Sequence, residues 1–103
     1  MRISFDFDDT LSTKKGQELA AQKIAEKNEV WIITARQEKD SAEVLKIADK
    51  LGIPHSRVIF TNGKDKWSFV MRHKIDVHYD NNQEQIDKIN HNTLAKGVLF
   101  VNN

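Results

Sequence analysis

Three carboxylates fall within four positions in the stretch ISFDFDDTLS, residues 3–12: Asp6, Asp8 and Asp9. They emerge from an apolar run in which Ile3, Phe5 and Phe7 alternate with Ser4, Asp6 and Asp8. Carboxylates this close repel one another, and withdrawing them from water at the edge of a core is expensive. A compensating positive charge is required, and a bound divalent cation is the simplest candidate. Other residues able to do chemistry follow further runs of the same kind. Thr34, Ala35 and Arg36 come after VWII, Lys64 and Lys66 lie in GKDKW, and Asp80 closes VHYD.

The elements that must carry these residues are legible in the apolar pattern. Short runs rich in β-branched and aromatic residues predict strands at Ile3–Phe7, Val30–Ile33, Val58–Phe60, Ile75–Tyr79 and Val98–Val101. Between them the spacing is helical: Ala20, Ala21, Ile24 and Ala25 share one face, and Val44, Leu45, Ala48 and Leu51 share another. Trp67, Val70 and Met71 mark a third helix, and Ile86 and Ile89 a fourth. The DSAE run at Asp40–Glu43 reads as a capping box, Gly52 as the end of the second helix and Pro54 as a block to its continuation. NQEQ at Asn82–Gln85 reads as the cap of the fourth helix.

Strict alternation of strand and helix predicts an α/β fold: a parallel sheet with helices on both faces, joined by right-handed crossovers. In such a sheet the carboxyl ends of the strands share one rim, where ligands bind at the switch in strand order. The first strand runs into Asp6, Asp8, Asp9 and Thr10, the second into Thr34, Ala35 and Arg36, the third into Thr61, Asn62 and Gly63, and the fourth into Asp80, Asn81 and Asn82. Segments distant in sequence therefore converge on one site.

Composition narrows the classes. At 103 residues the chain reads as one domain, residues 1–103, with no linker, repeat or low-complexity segment. A net charge of +1 gives no global pull toward nucleic acid or anionic membrane, so nucleic acid is not specifically indicated as a partner. Having no cysteine, the chain can form no disulfide, thiolate zinc site or cysteine nucleophile, which suits a reducing compartment. The longest apolar runs are four residues, and MRISFDFD lacks the apolar stretch of a signal peptide, so the expectation is a cytoplasmic protein without a membrane partner. Trp31 and Trp67 are read as packing residues because no basic and aromatic interleaving surrounds them. His78, alternating with Val77 and Tyr79, is read as a packed strand residue.

The motifs now carry a resemblance. DFDDTL at Asp6–Leu11 is similar to the D-x-D-x-T-L signature of the haloacid dehalogenase-like superfamily of phosphatases and phosphotransferases. VWIIT resembles that superfamily's second motif, a lysine of GKDKW its third, and Asp80 in VHYDN its fourth, all in the family's order. The resemblance implies a three-layer αβα sandwich with a five-stranded, Rossmann-like parallel sheet in the order 5-4-1-2-3. It implies a Mg²⁺-dependent phosphatase in which Asp6 is the nucleophile and Asp8 the acid and base. Mg²⁺ would be held by Asp6, the Asp8 carbonyl and Asp80. Thr34, Ala35, Arg36 and Lys66 would bind the substrate phosphate, with Thr34 and Lys66 also catalytic. Lys64 and Lys66 both fit the third motif, and Lys66 is favoured because it stands before WSFV in the helix leading to Asp80.

The chain departs from the family where Asp80 is followed by Asn81 instead of a second acid, which weakens the expected hold on a metal. Leu11–Gly16 and Gln37–Pro54 leave no room for the cap domain that relatives insert, so an open site able to take large phosphorylated substrates is expected, on a monomer or a homo-oligomer. Two rival readings remain. A degenerate relative would bind metal or phosphate as an interaction module. A response-regulator receiver domain would need an acid at the end of the third strand and a lysine after the fifth, but IFTNG and FVNN supply neither.

Overall fold

Alternation along each strand sorts its side chains onto two faces, and both faces are covered. In the computed structural model, which describes residues 1–102, the chain runs β1 (Arg2–Phe5), α1 (Lys14–Ala25), β2 (Glu29–Thr34), α2 (Ala42–Leu51), β3 (Val58–Phe60), α3 (Trp67–Arg72), β4 (Val77–Asp80), α4 (Gln83–Asn92) and β5 (Lys96–Leu99). All pairings are parallel in the order β3-β2-β1-β4-β5, the expected order read from the other edge. Ile3, Phe5, Val30 and Ile32 point to one face, against Ala20 of α1 and Val44 and Ala48 of α2. Trp31 and Ile33 point to the other, against Val70 of α3, Ile75 and Ile89 of α4. Each fully buried Phe or Ile side chain contributes about 1.5–3 kcal/mol. The result is a three-layer sandwich in which β1, at the centre, is solvated on neither face.

Several boundaries differ from those expected. β1 stops at Phe5, because Asp6 makes the last rung, its N–H donating to the Tyr79 carbonyl at 2.9 Å, before the chain turns away. Ile75 does not open β4; its N–H donates to the Val70 carbonyl at 3.0 Å and so closes α3. β5 lies at Lys96–Leu99, two residues earlier than its most apolar run. Its register follows from Gly97, which pairs with His78, where a Cβ would sit only 3.1 Å from the Ile86 carbonyl of α4. The DSAE capping box does not form: Asp40 belongs to a short 3₁₀ turn (Glu38–Asp40), and Ser41 stands at the N-cap of α2 without a side-chain capping bond. Asn82 does cap α4, accepting from the Glu84 N–H at 2.9 Å, and Gly52 ends α2 at φ 75°, a conformation that costs glycine least.

No domain is inserted after β1 or β2, since α1 begins at Lys14 and α2 at Ala42, so no part of the described chain forms a cap over the rim. Among the described residues no helix is long and apolar enough to cross a membrane.

Candidate active site

The chain leaves β1 through a tight turn, Phe7–Leu11, closed by Leu11 N–H to the Asp6 carbonyl (3.1 Å) and Ser12 N–H to the Phe7 carbonyl (2.8 Å). Asp9 takes the left-handed region at φ 60°, which a short polar side chain tolerates better than most, and its N–H donates to Ser12 Oγ at 3.0 Å. Asp9 thus shapes the turn, whereas the Asp6 carboxylate meets Lys66 and Thr10 and the Asp8 carboxylate meets Arg36. Thr10, fully buried, donates its hydroxyl to Asp6 Oδ2 at 3.2 Å, and its own carbonyl accepts from Thr13 Oγ1 at 2.6 Å.

The two candidate lysines are placed differently, and only Lys66 reaches the acids. It is 4% exposed, and its Nζ lies 2.7 Å from Asp6 Oδ1 and 2.7 Å from Asp80 Oδ2, whereas Lys64 is exposed. The backbone at Lys66 is fixed from α4, whose Gln85 Oε1 accepts the Lys66 N–H at 3.1 Å while Gln85 Nε2 donates to Asp65 Oδ1 at 3.0 Å. Asp80 is anchored at both oxygens: Oδ1 accepts the Asn82 N–H at 3.0 Å, and Oδ2 accepts from Lys66 and from His78 Nε2, 2.9 Å away. Behind His78, its Nδ1 lies 2.6 Å from Ser4 Oγ.

Electrostatics follow from burial. Loss of water raises the Asp6 carboxyl, with Lys66 opposing and the Asp80 charge reinforcing the rise. Burial alone would raise Asp80 too, but the His78 hydrogen bond and the Lys66 ammonium outweigh it and hold that carboxyl below the usual range. Two carboxylates share a single ammonium, so the buried cluster retains one negative charge when both are ionised.

Asp8 and Arg36 form a separate pair. The guanidinium grips the carboxylate with two hydrogen bonds, Nε to Oδ2 at 3.0 Å and Nη2 to Oδ1 at 2.8 Å. It also donates from Nη1 to the Asp40 carbonyl at 3.2 Å and lies over the Phe7 ring, 5.0 Å from its centroid. The Arg36 hydrogen bonds hold the Asp8 carboxyl below its ordinary value. Arg36 was expected to bind substrate phosphate; here its fork is already filled by Asp8. Thr34 is fully buried at the end of β2, where its Oγ1 accepts the Arg36 N–H at 3.2 Å. Ala35 is exposed next to it, with its carbonyl accepting the Gly63 N–H at 2.8 Å, which ties the β2 loop to the β3 loop.

The structure therefore brings Asp6, Lys66 and Asp80 into direct contact, and sets the Asp8–Arg36 pair and the Thr34–Ala35 corner on the same rim. Sequence reasoning missed Ser4, Gln85, the Thr10 bond to Asp6 and the His78 bond to Asp80. One signal for two of them was present: Ser4 and His78 are polar residues inside strands of a sheet covered on both faces, where buried polar groups must find partners.

Among the described residues no three Asp, Glu or His side chains converge as a metal cluster, and the Asp8 carboxylate is paired with Arg36. What the site offers is a set of hard oxygen donors. Asp6 Oδ2 and Asp80 Oδ1 each accept only one hydrogen bond and keep lone-pair capacity, and the cluster carries excess negative charge. That chemistry fits a hard divalent cation such as Mg²⁺, with the Asp8 contribution limited to its backbone carbonyl. Asp6 and Asp80 are buried at the carboxyl-end rim, apart from a groove of about 510 Å³ lined by Val70, Met71, Lys74, Ile75 and Leu94 among others.

The fold and its rim define a Rossmann-like α/β protein with an acidic site at the carboxyl ends of its central strands. No family model matches the chain, and no curated protein matches it.

Proposed function

We propose that the chain is a Mg²⁺-dependent phosphomonoester hydrolase that works through a phosphorylated Asp6. One observation carries the reading: a buried ammonium, Lys66, placed 2.7 Å from each of two carboxylates at the carboxyl ends of adjacent strands. The resemblance of DFDDTL to the haloacid dehalogenase-like signature supports it.

A carboxylate oxygen of Asp6 attacks phosphorus and forms an acyl phosphate, while the bond to the leaving-group oxygen breaks and Asp8 delivers a proton to that oxygen. Water then attacks the same phosphorus, Asp8 takes the proton of the water, and the bond to Asp6 breaks to release orthophosphate. Lys66 and the Thr34 hydroxyl stabilise the charge on the equatorial oxygens. Asp6, the Asp8 carbonyl and Asp80 would hold Mg²⁺, which supplies the positive charge that lets a carboxylate approach a phosphate dianion. Because the described chain has no cap, the rim admits phosphate groups on large molecules.

A second reading has its own observation. The bidentate Arg36 grip on Asp8 disfavours the protonated form that a general acid needs. A chain in which that grip persists binds metal and phosphate without turning substrate over, as an interaction module.

The deciding experiment is an acid quench during turnover of an aryl phosphate, with and without EDTA, read by intact mass. Asp8→Asn is expected to accumulate one phosphoryl adduct and Asp6→Asn none, with turnover abolished by EDTA. Activity undiminished in EDTA overturns the metal-dependent reading. An adduct on the Asp6 variant names another nucleophile, and no turnover across a broad panel of phosphomonoesters leaves the interaction module.

A further inference from the structure

His78 is the largest polar side chain with no solvent exposure at all, and the proposed reaction gives it nothing to do. It sits mid-strand in β4 beside its register partner Ser4 in β1, the central strand of the sheet. Packing alone does not call for an imidazole there, since a branched aliphatic side chain fills such a place without two nitrogens that must be satisfied. Both nitrogens are satisfied, and in one direction: Ser4 Oγ at 2.6 Å from Nδ1, Asp80 Oδ2 at 2.9 Å from Nε2.

We propose that His78 is a positioning residue for Asp80, fixing which of its oxygens is left to face a cation. The inference rests on the metal-dependent reading given above. An ionised carboxylate only accepts hydrogen bonds, so Nε2 carries the hydrogen toward Asp80. In the neutral ring Nδ1 is then an acceptor, and the Ser4 hydroxyl donates to it, which fixes the tautomer from behind. With His78 and Lys66 both donating to Oδ2, that oxygen is committed to the buried network. Oδ1 has only the Asn82 N–H, and is the oxygen presented to a hard cation.

Without His78 the carboxylate loses one of three donors, and its orientation about the Cβ–Cγ bond is less firmly fixed. Lys66, which also holds Asp6 Oδ1, is then the only donor left on Asp80 Oδ2. The missing second acid after Asp80 makes this support more consequential, because Asn81 brings no charge to share the load. Removing a hydrogen-bonding partner behind a metal ligand typically weakens metal binding by about 10–100-fold.

The test uses the full chain and two readouts. In metal-free protein, ¹⁵N spectra are expected to show the His78 ring with its hydrogen on Nε2, and the Asn82 amide resonance reports the Asp80 Oδ1 that it touches. His78→Leu is expected to move the Asn82 resonance, and His78→Gln, which restores a donor near the Nε2 position, to return it. Titrated with Mn²⁺ and followed by electron paramagnetic resonance, His78→Leu should bind about 10–100-fold more weakly than wild type and His78→Gln much less so. Should the leucine variant fail to fold, Ser4→Ala replaces it; that variant should loosen the tautomer preference and move the same amide. A wild-type ring protonated on Nδ1, or an Asn82 resonance and metal affinity unchanged by the substitution, overturns the proposal. Wild-type protein that binds neither Mn²⁺ nor Mg²⁺ instead overturns the metal-dependent reading, and the metal-free spectra still decide the placement of Asp80.

Discussion

A buried ammonium between two carboxylates adds little net stability, because desolvating the three charges offsets most of their attraction. On the proposed phosphatase reading, Lys66 holds a cation where charge develops during phosphoryl transfer. Lys66→Met is therefore expected to lower turnover by ~100-fold or more, the scale of a lost transition-state contact. Lys64→Met, which alters an exposed side chain, should stay near wild type. Comparing kcat for the two folded variants checks this, and the reverse ranking would move the catalytic lysine to Lys64. Arg36 gives a second prediction, with a definite sign. Because Arg36 lowers the Asp8 carboxyl, the pairing stabilises the fold fully above the unfolded aspartate value of 3.8, and that contribution is lost as pH falls through the lower folded value. Urea midpoints of wild type and Arg36→Met should thus differ more at neutral pH than in strong acid; the same gap at both would mean that the pair contributes no pH-dependent stability. The acids were legible in the sequence because their position at strand ends is a local property. The Arg36 grip on Asp8 and the His78 support of Asp80 were not, because each depends on which side chains the tertiary fold brings within hydrogen-bonding reach.

The elements around the site press on it as well as carry it. Gly16, in the first turn of α1, lies so close to the first turn of the site that an ideal Cβ would fall 1.9 Å from the Thr10 carbonyl oxygen. Thr13 closes the same contact, its Oγ1 donating to that carbonyl at 2.6 Å and accepting the Gly16 N–H at 3.0 Å. The helix N-terminus thereby clamps the turn that bears Asp6 and Asp8. Gly16→Ala cannot be accommodated by a rotamer change, since the obstacle is backbone, so the helix or the turn must move. Overpacking of this kind costs about 1–3 kcal/mol. The variant is expected to melt lower and, in its folded fraction, to turn over more slowly than its stability loss explains; unchanged melting and turnover would show that the clamp is not needed. Strand and helix order was legible here because each element has its own apolar period. Boundaries were less so: apolar content alone placed β5 at Val98–Val101, but close packing of Gly97 on α4 and pairing with β4 set it at Lys96–Leu99.

At the scale of the molecule, the two faces of the sheet bury different kinds of side chain, and that difference sets how the fold responds to acid. The face covered by α1 and α2 is aliphatic and aromatic, whereas the face toward α3 and α4 also holds His78, with His73 tilted against Trp31 at 4.9 Å between ring centroids. Burial lowers both histidines below 6.5, reinforced at His73 by the charges of Arg72 and Arg2. The unfolded chain therefore takes up these protons first as pH falls. Where the unfolded state binds more protons, stability rises with pH, so it is highest above 6.5 and declines as pH drops from there through the lowered folded values. Asp6 works in the opposite sense, because its raised carboxyl lets the folded state accept a proton before the unfolded one. Thermal midpoints should consequently fall between about pH 7.5 and pH 5.5, in the range of ordinary histidine titration. The His73 ring packs on Trp31 and makes no hydrogen bond or ion pair with Asp6, Asp8, Lys66 or Asp80, so His73→Gln isolates its share without disturbing the site. That variant should show a shallower fall over the same interval, with the remainder due to His78. If the wild-type midpoint is flat across the interval, or if the His73→Gln curve is as steep as wild type, His73 is not held neutral by the fold.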